Sequence, residues 1–594
     1  MDHQSFYAGT CFDAYRHQGA HREEGDVVFR TFAPSAVRVS VIGDWNGWTE
    51  TPMEKEYDGN FWVCRVGEGL PDGTRYKYRI WRRDGSFRDH CDPYGFGMEL
   101  RPGTASVLRT LEGFPFGDQA WMAGRTDRKN GPLNIYELHL GSWKRKADGS
   151  WYSYTELIPM LIPYLLENGF DCVEFMPLSE HPCDESWGYQ NTGFFSPTSR
   201  YGTARELMAL VDACHRASIA VILDFVPVHF AVDDYALWNY DGTALYEYPH
   251  PAVGYSEWGS CNFMHARGEV RSFLQSAAHY WLEEYHFDGL RMDAVRNLIY
   301  WQGNPERGEN QCGLTFLREM NRGLKERHPT AMLIAEDSSA HPGITAPVKA
   351  GGLGFDYKWD LGWMHDTLCY FRMPQEERKK GSDALTFSMD YYFNERYLLP
   401  LSHDEVVHGK ASMMQKMEGL PEGKFPQARA FYLYMFAHPG KKLNFMGNEL
   451  GQLTEWSEGG ELPWALLEQK EHRQFQRFFR DLNLVYHYHP ALWAGDYGPK
   501  GFRWLAMEEE TCLFAIERQG SGERVVFTFN FSREPGELTL ELGEGVKLQP
   551  LLDSDNTVYG GGSLWEEQPL EGEKGCFQLS APPCSGRCWV VTEE

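Results

Sequence analysis

Apolar and polar residues alternate along the chain with two rhythms that divide it into three zones. Up to about Thr110, short runs such as VRVSV (Val37 to Val41) have a two-residue period and are separated by clusters of Gly, Pro, Asp and Asn, the pattern of a small β-sandwich. From about His489 the same rhythm returns: RVVFTFNFS (Arg524 to Ser532) alternates strongly, and GSGE and GEG mark turns. The middle zone has a helical period. From Val270 to Tyr285, apolar residues fall at Val270, Phe273, Leu274, Ala277, Ala278, Trp281, Leu282 and Tyr285, an amphipathic stripe that leads into the strand-like run DGLRMDA. Leu207, Leu210, Val211 and Cys214 lead in the same way into IAVILDF, and Leu317, Met320 and Leu324 into AMLIAED. Successive helix-then-strand units imply parallel strands with helical crossovers. With LNIYELHL, CVEFMPL, FDYKW, YLLPLSHD and KLNFMG, the runs reach the eight or so strands of a closed (β/α)8 TIM barrel. An open doubly wound sheet is the alternative, but neither a G-x-G-x-x-G at a strand-to-helix turn nor a Walker A sequence is present to support its nucleotide-binding forms. The expected class is therefore α/β, with a barrel over residues 116–488, an N-terminal β-sandwich over 1–115 and a C-terminal all-β sandwich over 489–594.

Composition narrows the partners. The formal net charge of -27 argues against nucleic acid and anionic membrane surfaces, which bind through lysine and arginine. No apolar run approaches the roughly 18 residues that cross a bilayer. The start, MDHQSFYAGT, has neither a basic nor an apolar leader region, and the 13 cysteines follow no framework spacing. A cytoplasmic protein is expected, with the pair in CSGRC (Cys584 and Cys588) as ordinary thiols. Aromatic residues make up 15 %, including 20 Trp and 31 Tyr; flat faces with polar edges suit sugar rings, although most aromatics are simply core. In GDWNGW, Trp45 and Trp48 are either packed against the next domain or displayed as a ligand platform.

Four apolar runs end in acids: VILDF in Asp224, GLRMD in Asp293, LIAED in Glu336 and Asp337, and LPLSHD in Asp404. Each alone reads equally well as a helix cap. In a barrel, however, the carboxyl ends of all strands share one face, and His229, Arg291 and His403 accompany these acids. Several carboxylates facing one cleft suit glycoside chemistry, in which one attacks the anomeric carbon and another protonates the leaving oxygen. Arg291 lies two residues before Asp293 on one strand and so points to the same side, where it can hold Asp293 ionised. Glu336 is expected to be kept protonated by burial and neighbouring negative charge. HDEVVH is not the H-E-x-x-H of zinc proteases, and two loop histidines do not define a site. No catalytic metal or cofactor is expected; structural calcium stays open.

In sequence order, DFVPVH (Asp224 to His229), GLRMDAV (Gly289 to Val295), AED (Ala335 to Asp337) and LSHDE (Leu401 to Glu405) resemble the four short regions of the α-amylase superfamily, glycoside hydrolase family 13. IYELHLGSW, GYQNTGFFSPTSRYG, GGLGFDYKWDLGWMHDTL, LPLSHDEVVHGK and FMGNELGQ look like the glycogen branching enzymes within it, as do YAGTCFDAYRHQGAH and DPYGFGMELRPGTASV of their glucan-associated N-terminal sandwich. The resemblance implies a retaining double displacement that cleaves α-1,4 bonds in a linear glucan and re-attaches the segment through an α-1,6 bond. It implies that Asp293 is the nucleophile, Glu336 the general acid/base, and Asp404 the carboxylate that grips sugar hydroxyls. His229 and His403 resemble the histidines that bond the reacting glucose, Arg291 the arginine beside the nucleophile, Tyr189 the stacking tyrosine, and Asp224 a structural acid of the site. The expected partner is an α-1,4-glucan or glycogen, and the expected state a monomer. DFVPVHF stands where DWVPGHF is common, and Met292 where valine is common, which puts donor length preference in doubt rather than the chemistry. The extra leading module of longer branching enzymes is expected to be missing. The rivals are an α-glucan hydrolase of the amylase, debranching or trehalose-releasing type and a non-catalytic glucan-binding protein; the distinction from a hydrolase rests on the resemblance.

Overall fold

The computed structural model describes residues 1–67, 69–564 and 568–593. Its central element is a closed barrel of eight strands in sequential order: β1 (Asn134–Leu138), β2 (Cys172–Phe175), β3 (Ala220–Phe225), β4 (Gly289–Met292), β5 (Met332–Ala335), β6 (Tyr357–Trp359), β7 (Tyr397–Leu401) and β8 (Lys441–Phe445). All eight runs read from the sequence are strands of this barrel. The crossovers carry α1 (Tyr154–Glu167), α2 (Ala204–Arg216), α3 (Gly268–Glu284), α4 (Gln311–Arg327), α5 (Leu361–Arg372) and α6 (Pro421–Ala437), and α7 (Lys470–Tyr488) follows β8. The apolar stripes bury as their period requires: Val270, Phe273, Leu274, Ala277, Ala278, Trp281 and Leu282 on α3, and Leu207, Leu210, Val211 and Cys214 on α2. Thr203 starts α2 with a capping box closed by Glu206, which satisfies two otherwise orphan N–H groups.

The repeat is broken once. Among the described residues between β5 and β6, only a 3-10 turn, Val348–Ala350, is formed. Pro342, Pro347 and the glycines 343, 351, 352 and 354 make this stretch a poor helix, since proline removes a backbone donor and glycine carries the largest entropy cost.

The chain forms two compact units, residues 1–127, 139–160 and 175–355 in one, and 128–138, 161–174 and 356–594 in the other. The first contains the N-terminal sheets: a four-stranded antiparallel sheet including Asp26–Phe32 and Phe61–Val66, and a five-stranded one including Arg38–Gly43 and Arg75–Trp81. Phe29, Phe32, Val39, Val41, Tyr76, Tyr78 and Ile80 fill their core. Trp45 stacks on Phe29 at 5.4 Å between ring centroids, and Trp48 lies under the Arg75 guanidinium at 5.9 Å. Both thus pack within their own sandwich. The second unit ends in a six-stranded antiparallel sheet running from Phe502 to Glu593, backed by Gly536–Glu541 paired with Cys576–Ala581. Leu513, Val526, Leu538, Leu548, Phe577, Leu579 and Trp589 form its core. All 13 cysteines are free thiols. Among the described residues, no helix is long and apolar enough to cross a membrane.

The first unit holds a buried charge network. His215 on α2 bonds Asp118 through Nδ1 at 2.8 Å and Asp288, the residue before β4, through Nε2 at 2.9 Å; His286 also reaches Asp118 at 2.8 Å. Both His215 nitrogens can donate only when the ring is protonated. Burial pulls its pKa down, but the Asp288 and Asp118 carboxylates outweigh burial and raise it. A raised folded value gives stability that is complete below the ordinary histidine value of about 6.5 and is lost as pH rises through the folded value. His215→Leu should therefore cost about 1.5–3 kcal/mol at pH 6 by calorimetry, because it takes a charged hydrogen-bond donor from two buried carboxylates, leaving Asp118 with His286 and Asp288 with Arg125, and the loss should shrink at alkaline pH.

Candidate active site

Neighbouring strands of the first unit build a linked set of charges. In the β3–β4 ladder Asp224 pairs with Arg291, so the two side chains share a face. Arg291 Nη1 donates to both Asp224 oxygens at 2.8 Å and to Asp293 Oδ1 at 2.8 Å. Arg291 Nη2 stands 3.9 Å from Glu336 Oε2. Exposure is graded: the Asp224 and Arg291 side chains are 1 % exposed, that of Asp293 15 % and that of Glu336 20 %. The inner pair is closed off from solvent, and the outer pair is partly open to it. Burial pushes the Asp224 carboxyl up, to about 7, against the pull of Arg291, with Asp293 adding to the push. Arg291 thus stands on the same side as Asp293, as the strand spacing predicts, and also binds a second, deeper carboxylate.

Tyr189 supports this pair. Its hydroxyl donates to Asp224 Oδ2 at 2.5 Å, and its ring lies 5.9 Å from the Arg291 guanidinium, within cation–π range. Gly188 before it has φ +94°, and a Cβ there would come within 2.4 Å of the Pro177 carbonyl. Only glycine accepts that combination. His229 is buried, its ring 5.2 Å from that of Trp258. Burial lowers its pKa while Asp293 opposes this; a neutral ring is favoured.

Glu336 lies at the outer edge of this set. It stands one residue past the end of β5, half-buried, and its Oε2 accepts the Ala294 N–H at 2.7 Å. That bond and the nearby Arg291 fix where its carboxyl stands. Ala294 presents its N–H from a left-handed conformation, φ 50° and ψ 42°, which is uncommon for a residue with a Cβ. Asp337 is buried and bonds Ser339 N and Oγ at 3.1 and 2.9 Å. It is a turn-former.

In the second unit, His403 and Asp404 open a 3-10 turn directly after β7. His403 is buried: its Nδ1 bonds Glu137 Oε1 at 2.5 Å, its backbone N–H donates to Glu137 Oε2 at 2.9 Å, and its Nε2 faces Asp404 Oδ1 at 3.4 Å. The Asp404 side chain is 51 % exposed. Glu137, on β1 and fully buried, is a positioning group that sequence reasoning missed. Its signal was an acid inside the apolar run NIYEL. With Nδ1 of His403 committed to Glu137, HDEVVH offers little for a metal; Glu405 instead pairs with Lys410 at 3.2 Å.

Two family models match the chain: "Carbohydrate-binding module 48 (Isoamylase N-terminal domain)" over residues 17–95 and "Alpha amylase, catalytic domain" over residues 156–241. Curated relatives align almost end to end. A 1,4-alpha-glucan branching enzyme of Fusobacterium nucleatum is 42 % identical over 573 residues, covering 94 % of this chain and 92 % of the relative. Those of Dechloromonas aromatica and Bacillus subtilis are 43 % and 41 % identical, covering 96 % and 98 % of this chain and 95 % and 94 % of the relatives. Among solved structures, the pullulanase of Anoxybacillus sp. LM18-11 complexed with maltotetraose superimposes with a TM-score of 0.74 at 17 % identity, covering all of this chain and 89 % of that one. At that identity the likeness speaks for the fold alone.

Proposed function

The chain belongs to the family of 1,4-alpha-glucan branching enzymes, and from that premise we propose that Asp293 is its nucleophile, Glu336 its general acid/base and Asp404 its grip on sugar hydroxyls. In the first step Glu336 protonates the oxygen of an α-1,4 bond while Asp293 attacks the anomeric carbon; the bond to the leaving chain breaks and a covalent glycosyl-enzyme forms. In the second step Glu336 takes the proton of a 6-hydroxyl on an acceptor glucan, whose oxygen displaces Asp293 and forms the α-1,6 bond. Two displacements retain the anomeric configuration.

The observation that carries this division is Arg291, which binds Asp293 Oδ1 at 2.8 Å while the Glu336 carboxylate stands 3.9 Å from its other nitrogen. One guanidinium orients the nucleophile and leaves its other oxygen to attack. Substrate favours the acid form of Glu336: a glucan covering this half-buried carboxyl removes water and disfavours its charge. Tyr189 stacks on the reacting glucose, His229 and His403 bond it, and Asp224 holds Arg291 from behind. Branching requires the sugar hydroxyl to win over water, and acceptor contacts that place the 6-hydroxyl provide that advantage.

The same reading assigns residues 1–115 to a glucan-associated sandwich, 116–488 to the catalytic barrel and 489–594 to the C-terminal sandwich. The carbohydrate-binding-module match over 17–95 supports the first. It takes the enzyme as a cytoplasmic monomer without a metal or other cofactor. Free thiols fit that compartment, and the proposed residues all come from one chain. Incubation with amylose tests the activity: iodine staining should fall while reducing ends scarcely rise. A parallel rise in reducing ends would mean hydrolysis instead.

A further inference from the structure

The segment that follows Asp404 has an unusual anchor. After the 3-10 turn His403–Glu405, three residues, His408 (φ 56°), Gly409 (φ 80°) and Ala411 (φ 69°), adopt left-handed backbone conformations. Two of them carry a Cβ and are costly there, so the loop needs holding from outside. Lys416 ends the short helix Met413–Lys416, which Ser412 and Gln415 start with a capping box. Its side chain turns back and is only 3 % exposed. Its ammonium donates to the carbonyls of Glu405, Lys410 and Ala411, the last two at 2.7 and 2.6 Å. Three donors meet three acceptors, which satisfies an ammonium completely.

The N–H groups of the same loop are gathered from the other side. Glu455 accepts Gly409 N–H at 3.1 Å and Ala411 N–H at 2.6 Å, while Arg372 at the end of α5 donates to the Lys410 carbonyl at 2.9 Å. Beside the loop lies a cavity of about 720 Å³ that Arg372, Glu405, Lys410, Lys416 and Lys424 help to line. It is room into which an unanchored loop can relax.

We propose that Lys416 is a positioning residue for the reaction: its ammonium clasps the loop behind Asp404 and holds that carboxylate where sugar hydroxyls reach it. The Glu405 carbonyl, one residue beyond Asp404, is the direct link. Burial pushes the Lys416 pKa down to about 8, helped by Arg372 and Lys410 and opposed by Glu405 and Glu455. His365, Glu418 and Lys424 also face the cavity. As pH rises through that value the ammonium loses its charge and a donor, and the clasp weakens. An alkaline fall in turnover belongs to this group.

The proposal rests on the role given to Asp404 above, and the full-length enzyme acting on amylose tests both separately. Lys416→Met should lower kcat about 100-fold, the scale of a misplaced catalytic group, with KM little changed and the fall near pH 8 absent. Lys416→Arg keeps a charge up to a pKa above about 12, and the cavity gives its longer side chain space. It should recover most of the turnover and move the alkaline fall upward. A folded Lys416→Met enzyme with wild-type kcat would overturn the proposal, as would a Lys416→Arg enzyme whose alkaline fall stays near pH 8. If Lys416→Met does not fold, the Lys416→Arg profile decides alone. Normal turnover in Asp404→Asn would instead remove the active-site reading on which the clasp depends.

Discussion

Asp293→Ala loses turnover on amylose by roughly four to six orders of magnitude, the scale seen when a nucleophile that works as part of a unit is deleted. The protein should nevertheless stay folded. Only 15 % of this side chain is exposed, but it sits at the outer end of the charge set, and its removal leaves Arg291 paired with both oxygens of Asp224. Thermal unfolding should therefore move little while the branching rate vanishes. Arg291→Ala provides the contrast: it strands Asp224 as a buried carboxyl without its cation, a loss of about 3–5 kcal/mol. Stability and turnover separate at the nucleophile and fall together at its support.

Glu336→Gln should reduce kcat on amylose by about 10²- to 10⁴-fold or more, the usual weight of a positioned proton donor. Its amide oxygen can still accept the Ala294 N–H that now bonds Glu336 Oε2 at 2.7 Å, so the local geometry should persist and KM should change little. Leaving-group chemistry supplies the finer test. An α-maltosyl fluoride expels fluoride without a proton, so its first step should survive the substitution. The second step, in which Glu336 accepts the proton of the incoming hydroxyl, should remain crippled. Turnover of amylose and of the fluoride at one enzyme concentration measures both.

The barrel was legible because each of its strands is a short apolar run bounded by turn residues, and because three of them follow clear helical stripes. The crossover after β5 departs from the general helix-then-strand repeat, since proline and glycine at 342, 343, 347, 351, 352 and 354 make a helix there unfavourable. At the site, the spacing of Arg291 and Asp293 was sufficient to predict their bond, since a strand places alternate residues on one face. Glu336 was harder. A sequence shows that an acid follows a strand but not how far its carboxyl emerges or which backbone N–H it meets. Glu137 was illegible for another reason: its partner His403 lies 266 positions away, so its burial makes sense only once strand order is known. Trp45 and Trp48 pack within their own sandwich, a choice that composition left open.

The covalent intermediate on Asp293 is the central claim, and the Glu336→Gln enzyme makes it observable. With α-maltosyl fluoride as donor, the first step proceeds and the second is slow, so the glycosyl-enzyme should accumulate. Mass spectrometry of the acid-quenched, digested protein is predicted to find one maltosyl unit on the peptide containing Asp293, with the unit lost in the Asp293→Ala, Glu336→Gln double variant. An unmodified Asp293 peptide together with a maltosyl unit on another carboxylate, Asp224 for instance, would contradict the account.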